Sequence, residues 1–176
     1  MIEKIKLRIS HYLIHKNYLR KRNEPFSFNK IISNATDFLI IMPSEENDFY
    51  HSLELIKYIL IHKKNISLFL PEYRYSLLPE KEKFKIISYH EKQKTRFNLP
   101  EKSLGNRLRA KEFDIVIDLN KKEDVFFSAV SNLVTAKLRM SFVKERSDDY
   151  YDLQIANSIE NSEQIYRQFL SYLQMF

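Results

Sequence analysis

Residues Phe113-Asp-Ile-Val-Ile-Asp-Leu119 give the strongest strand signal in the chain. A run this rich in β-branched and large apolar side chains suits a strand buried on both faces, with neighbours on either side and a parallel sheet around it. Such a sheet needs helices above and below it. The rest of the sequence offers them in alternation: strand Asp37 to Met42, helix Asp48 to His62, strand Ile66 to Leu70, a charged connection through Pro71 and Pro79, and strand Phe84 to Tyr89. After a polar stretch ending at Pro100, a helix from Glu101 to Lys111 leads into the central run. Asp124 is placed to cap a helix reaching about Val134, Lys137 to Val143 reads as a strand and Leu153 to Ala156 as a short one. Ser162 opens a final helix to Phe176, with Ile165, Phe169, Tyr172 and Phe176 on one stripe. The expectation is an α/β fold: a single Rossmann-like three-layer sandwich with a mostly parallel sheet and right-handed crossovers. At 176 residues the chain fits one such domain, and it shows no repeats or low-complexity tracts.

Composition removes several classes of chemistry. There is no cysteine, hence no disulfide framework and no thiolate for metal or nucleophilic work. Gly105 is the one glycine, which argues against Walker-type and dinucleotide-binding loops, because phosphate cradles need backbone free of side chains. No cofactor is expected. The longest apolar runs, such as Phe38 to Met42 and Ile66 to Leu70, are strand-sized and far short of the roughly 20 residues of a membrane span. With no secretory signal at the N-terminus, a cytoplasmic location is the expectation.

The charge is concentrated at one end. Residues 1–22 hold seven of the 29 basic residues and one of the 23 acidic ones, so this segment carries the entire formal net charge of +6 and the remainder is neutral. Ile2, Ile5, Ile9, Tyr12, Leu13 and Leu19 recur at helical spacing, which predicts a basic amphipathic helix over residues 1–22 with apolar groups on one side and cations on the other. Residues 23–35, containing Pro25, read as a linker, and residues 36–176 as the α/β domain. A helix of this kind either packs on its own domain with a solvated basic face or docks on an anionic partner through Lys4, Arg8, Lys16, Arg20, Lys21 and Arg22. RNA or a ribonucleoprotein such as the ribosome is the leading partner, ahead of a partner protein or peripheral membrane contact. The Arg20-Lys21-Arg22 cluster lies past the end of the apolar stripe, and the helix has no Trp or Phe anchor. His11 and His15 stand four apart without a carboxylate or cysteine partner beyond Glu3, and read as solvated surface groups rather than metal ligands.

In a parallel sheet, ligands bind beyond the carboxyl ends of the strands, here after Met42, Leu70 and Leu119. The turn Pro43-Ser44-Glu45-Glu46-Asn47-Asp48 puts a hydroxyl and three carboxylates at that edge, although Asp48 is equally what the start of a helix favours. Asp148, Asp149 and Asp152 flank Tyr150 and Tyr151 and read as an exposed acidic loop. The stretch Ile40-Ile41-Met42-Pro43-Ser44-Glu45-Glu46-Asn47-Asp48-Phe49 resembles the opening strand, turn and helix of family 9 glycosyltransferases, the heptosyltransferase-like enzymes. Glu112 to Leu119 and Ala136 to Phe142 resemble that family's later strand and its Arg-x-Gly-Phe segment. The resemblance implies that Asp48 matches the acidic acceptor-site residue proposed as general base, and that Arg139 lies near the same edge. Asn47 and Ser141 replace both family glycines, and the donor-binding domain has no counterpart within these 176 residues. The implied role is the acceptor-binding half of a split or degenerate enzyme, with no catalysis by this chain alone. The chain also resembles small stand-alone bacterial proteins of unknown function that share Phe-Asp-Ile-Val-Ile-Asp-Leu and Tyr-Tyr-Asp-Leu-Gln-Ile.

Overall fold

The run from Phe113 to Leu119 becomes an inner strand of a six-stranded, all-parallel sheet. The structure is a computed structural model and describes residues 2–19, 27–156 and 161–175. The strands β1 (Asp37–Ile41), β2 (Asn65–Pro71), β3 (Lys85–Tyr89), β4 (Glu112–Asp118), β5 (Thr135–Phe142) and β6 (Leu153–Ile155) lie in the order β3-β2-β1-β4-β5-β6. This is the Rossmann order, in which the winding reverses between β1 and β4. Helices α1 (Ile2–Asn17), α2 (Phe28–Asn34), α3 (Glu46–Ile61), α4 (Lys102–Arg109), α5 (Val125–Leu133), α6 (Ser147–Tyr150) and α7 (Ser162–Leu173) complete the fold, with short 3₁₀ turns around β3. None of the described helices is long and apolar enough to cross a membrane.

Strand alternation divides the core. Ile40, Met42, Ile115, Ile117, Leu138 and Met140 point to one face and pack under α2, α3 and α7. Leu39, Ile41 and Val116 point to the other and meet α4 and α5. All nine residues of α5 are buried. A helix covered on one side only by a sheet would leave part of Val-Phe-Phe-Ser-Ala-Val wet, so α5 requires a second cover. That cover is α1, whose Ile14 packs with Val125 and Ala129.

Four local expectations change. The segment read as linker over residues 23–35 contains α2, because Ile32 and Ala35 bury into the core and Phe28 and Ile31 pack on it; residues 20–26 lie outside the described residues. Helix α7 is capped by Asn161, whose side chain accepts from the Gln164 amide, and Ser162 is its first residue. Its buried stripe is Ile165, Tyr166, Phe169 and Leu173, with Tyr172 at the rim; Phe176 lies outside the described residues. The segment read as an exposed acidic loop forms the short α6, and Tyr150 and Tyr151 are buried anchors. Gly105 sits inside α4, where a Cβ would meet Leu133 and Arg109 at ordinary contact distances of 3.6 and 3.8 Å, so nothing in the backbone demands glycine there.

Asp114 ties the amino ends of three strands together. Its Oδ2 accepts from the Thr36 and Asp37 amides at 2.8 and 3.1 Å and from the Thr36 hydroxyl at 3.0 Å, while Lys137 Nζ lies 2.6 Å from Oδ1. Partial burial alone would raise this carboxyl, but Lys137 and the Thr36 and Asp37 donors outweigh it and hold the group well below the usual carboxylate range. A carboxyl whose folded pKa is depressed contributes stability above its unfolded value of about 4, and that contribution disappears as the pH falls towards the folded value. Asp114→Asn is therefore expected to be destabilising at pH 6 and to flatten the loss of stability below about pH 4, as read from urea midpoints across that range. Parallel acid profiles for both proteins would contradict this.

Candidate functional site

The N-terminal helix exists, and its packing face is only partly the predicted one, since of the expected stripe only Leu13 and Leu19 pack on the core. Ser10, His11 and Ile14 are buried, whereas Ile2, Ile5, Ile9 and Tyr12 point outwards, with Tyr12 63% exposed. The inward line is held by polar partners as well as by Ile14. Ser10 Oγ lies within hydrogen-bond distance of the Phe97 and Lys6 carbonyls (2.6 and 2.8 Å). His11 Nδ1 and the Tyr150 hydroxyl are hydrogen-bonded, and the two rings stack at 5.7 Å. Burial, together with Arg146, lowers the His11 pKa against the opposing pull of Asp149 and Glu145, which favours the neutral imidazole. His15 faces Asp149 at 3.7 Å. His11 thus anchors α1 to the body instead of standing in solvent, whereas His15 stays exposed as expected. Among the described residues no group of acidic and histidine side chains forms a metal site.

Exposed cations remain on the outer side. Lys4, Arg8 and Lys16 lie on α1; Arg20, Lys21 and Arg22 fall outside the described residues. The tertiary structure brings a second basic element beside them. Tyr18, just past α1, packs against the Arg109 guanidinium of α4 at 5.7 Å, and Lys6 and Arg96 border one cleft under α1. Lys4, Arg8, Lys16, Arg96, Lys102 and Arg109 are all exposed, and among the described residues none of them forms an ion pair with a carboxylate, although Glu3, Glu123 and Asp124 line the same cleft as Lys6 and Arg96. In the sequence, α4 reads only as a helix. The available signal was its composition: Lys102-Ser-Leu-Gly-Asn-Arg-Leu-Arg109 has no acidic residue.

The other candidate lies at the winding reversal, where the turns after β1 and β4 enclose a cleft of about 190 Å³ lined by Ser44, Glu45, Asp48, Asn120, Lys121 and Glu123. Asp48 and Glu45 each face a lysine, whereas Glu123 has no ion pair among the described residues. Asp48 is buried and its Oδ1 accepts from Lys121 Nζ at 2.8 Å, and the same ammonium donates to Ser162 Oγ at 2.6 Å. Ser44 donates its amide to Asn120 Oδ1 (2.9 Å), and Arg74 donates to the Ser44 carbonyl (2.9 Å) while facing Glu46 at 3.6 Å. Beneath lies Asp118, fully buried: Oδ2 accepts from Lys144 Nζ at 2.5 Å and from the Tyr151 hydroxyl at 2.6 Å, and Oδ1 accepts from Asn120. Burial first, then Asp118, raises the Tyr151 phenol well above its ordinary value; burial likewise raises Glu123, helped by Asp118 and opposed by Lys144 and the Arg146 amide.

The structure does not bring Arg139 to Asp48. Arg139 is buried in mid β5 and donates to the Ser131 and Val134 carbonyls (both 2.9 Å), closing the C-terminus of α5 on the opposite face of the sheet from α3. Asp118, Lys144, Asn120 and Arg74 escaped the sequence reading, since each lies in a different turn or strand end and only folding makes them neighbours.

A family model described as "Family of unknown function (DUF6913)" matches residues 8–176, which takes in most of α1 and the whole α/β body. No curated protein matches the chain.

Proposed function

This chain belongs to the DUF6913 family of unknown function, and we propose that it is a non-enzymatic binding module that docks through α1 onto RNA or a ribonucleoprotein such as the ribosome. The observation that carries the reading is the set of exposed cations Lys4, Arg8 and Lys16 on α1, with Arg109 of α4 against Tyr18 and Arg96 at the cleft under α1, none of which forms an ion pair among the described residues. A spread of ammonium and guanidinium groups without carboxylate partners favours a polyanion, because each phosphate contact releases condensed counterions. The cleft at the winding reversal supports the same view from the other side. Where an enzyme of this fold would meet its ligand, Asp48 and Lys121 satisfy each other and Arg74 holds the turn.

The test is the salt dependence of RNA binding by the purified full chain and by the triple variant Arg8→Ala/Lys16→Ala/Lys102→Ala, which changes only exposed side chains. Removing three phosphate contacts is expected to weaken binding about thirtyfold and to lower the slope of log K against log salt by about two units, at roughly 0.7 per contact on a single strand. Equal affinity and an equal slope in both proteins would overturn the reading.

A further inference from the structure

We infer that the nucleic acid received by α1 is single-stranded or looped RNA whose unpaired bases stack on Tyr12, an inference that rests on the RNA reading above. Three observations converge on this ring. Tyr12 stands 63% exposed on the outer line of α1, beside Ile5 and Ile9, which are also open to solvent. Arg8 and Lys16 precede and follow it by four residues, hence on the same side of the helix, and both are exposed with no ion pair among the described residues. The helix is fixed from behind by Ser10, His11 and Ile14, so the ring is presented on a rigid mount rather than on a free arm.

Duplex RNA cannot use this combination. Its stacked bases are closed to an aromatic face, its major groove is too narrow for side chains, and its phosphates offer nothing to Ile5, Ile9 or the Tyr12 ring. An unpaired base offers a π-face to the ring and an apolar edge to the isoleucines, while the phosphates on either side of it reach Arg8 and Lys16. Charge complementarity selects this occupant over an apolar protein surface, since the apolar line is bordered by the exposed cations Lys4, Arg8 and Lys16. An anionic bilayer also has the charge, but α1 carries no Trp or Phe to seat at its interface.

The experiment compares binding of the full chain to an unstructured RNA oligonucleotide, to an RNA duplex of the same length and to vesicles containing phosphatidylserine. It uses the wild type, Tyr12→Ala, Tyr12→Phe and Ile9→Ser, each checked for an unchanged circular dichroism spectrum. The single strand is expected to bind best. Tyr12→Ala should lose about tenfold in affinity for it with an unchanged salt slope, Tyr12→Phe should keep wild-type binding, and duplex binding should not respond to either. Equal binding of single strand and duplex, with Tyr12→Ala neutral, overturns the stacking inference and leaves RNA docking intact. Binding to vesicles with none to either RNA overturns both.

Discussion

Lys144→Met is expected to destabilise the fold by about 3–5 kcal/mol, the usual cost of removing one partner from a buried ion pair. Lys144 and Asp118 side chains are 1% and 0% exposed, and the ammonium is the one cation within hydrogen-bond distance of Asp118 among the described residues. Without it the carboxylate keeps the Tyr151 hydroxyl and the Asn120 donors but loses its counter-charge in a site that water does not reach. The loss should be read as a lower urea midpoint with an unchanged m-value. Asp118→Asn alone leaves the ammonium stranded and should be similarly harmful. The double variant Lys144→Met/Asp118→Asn removes both charges, so its cost should fall short of the summed single costs by about 1–3 kcal/mol. Additive costs would show that the pair does not hold the turns after β4 and β5 together.

Arg139→Met is expected to cost about 2–4 kcal/mol, because the Ser131 and Val134 carbonyls at the end of α5 would lose their charged donor in a buried setting. Arg139→Lys should recover only part of this. An ammonium is a point charge, whereas the planar guanidinium donates from Nε and Nη2 to two carbonyls at once. The pair of variants also separates two roles. A residue at an acceptor site can be replaced without unfolding the protein, whereas one that closes a buried helix cannot. A wild-type melting curve for Arg139→Met would restore the first role.

Much of the fold was legible in the sequence, for a physical reason visible in individual segments. Burial on both faces of a sheet demands an almost continuous apolar run, and Phe113 to Leu119 carries that demand in its own residues, as do Phe38 to Met42 and Ile66 to Leu70. Asp124 announces the start of α5 because a cap acts on amides two residues away, and here it accepts from Phe126. Segments whose state depends on distant partners misled. The stretch around Ile32 is polar enough to read as linker, yet it becomes a helix because Ile32 and Ala35 find the core beneath them. Tyr150 and Tyr151, set among aspartates, look exposed until α1 and the turn after β5 cover them.

Of the two candidate sites, the basic helix was readable because net charge is a sum over residues, and the sum over residues 1–22 already equals that of the chain. Which side of that helix faces outwards was not. Helical periodicity sorts side chains into lines, but the line that packs is chosen by what lies opposite it, and here the Phe97 carbonyl and Tyr150 hydroxyl draw in Ser10 and His11 while Tyr12 stays out. The sequence by itself thus determined the alternating α/β order, the central strand and the seat of the positive charge, all properties of local pattern and composition. Only the tertiary structure decided that Arg109 of α4 meets Tyr18 beyond α1, that Asp48 is paired with Lys121 and that Arg139 closes α5, because each depends on contacts between groups far apart in the chain.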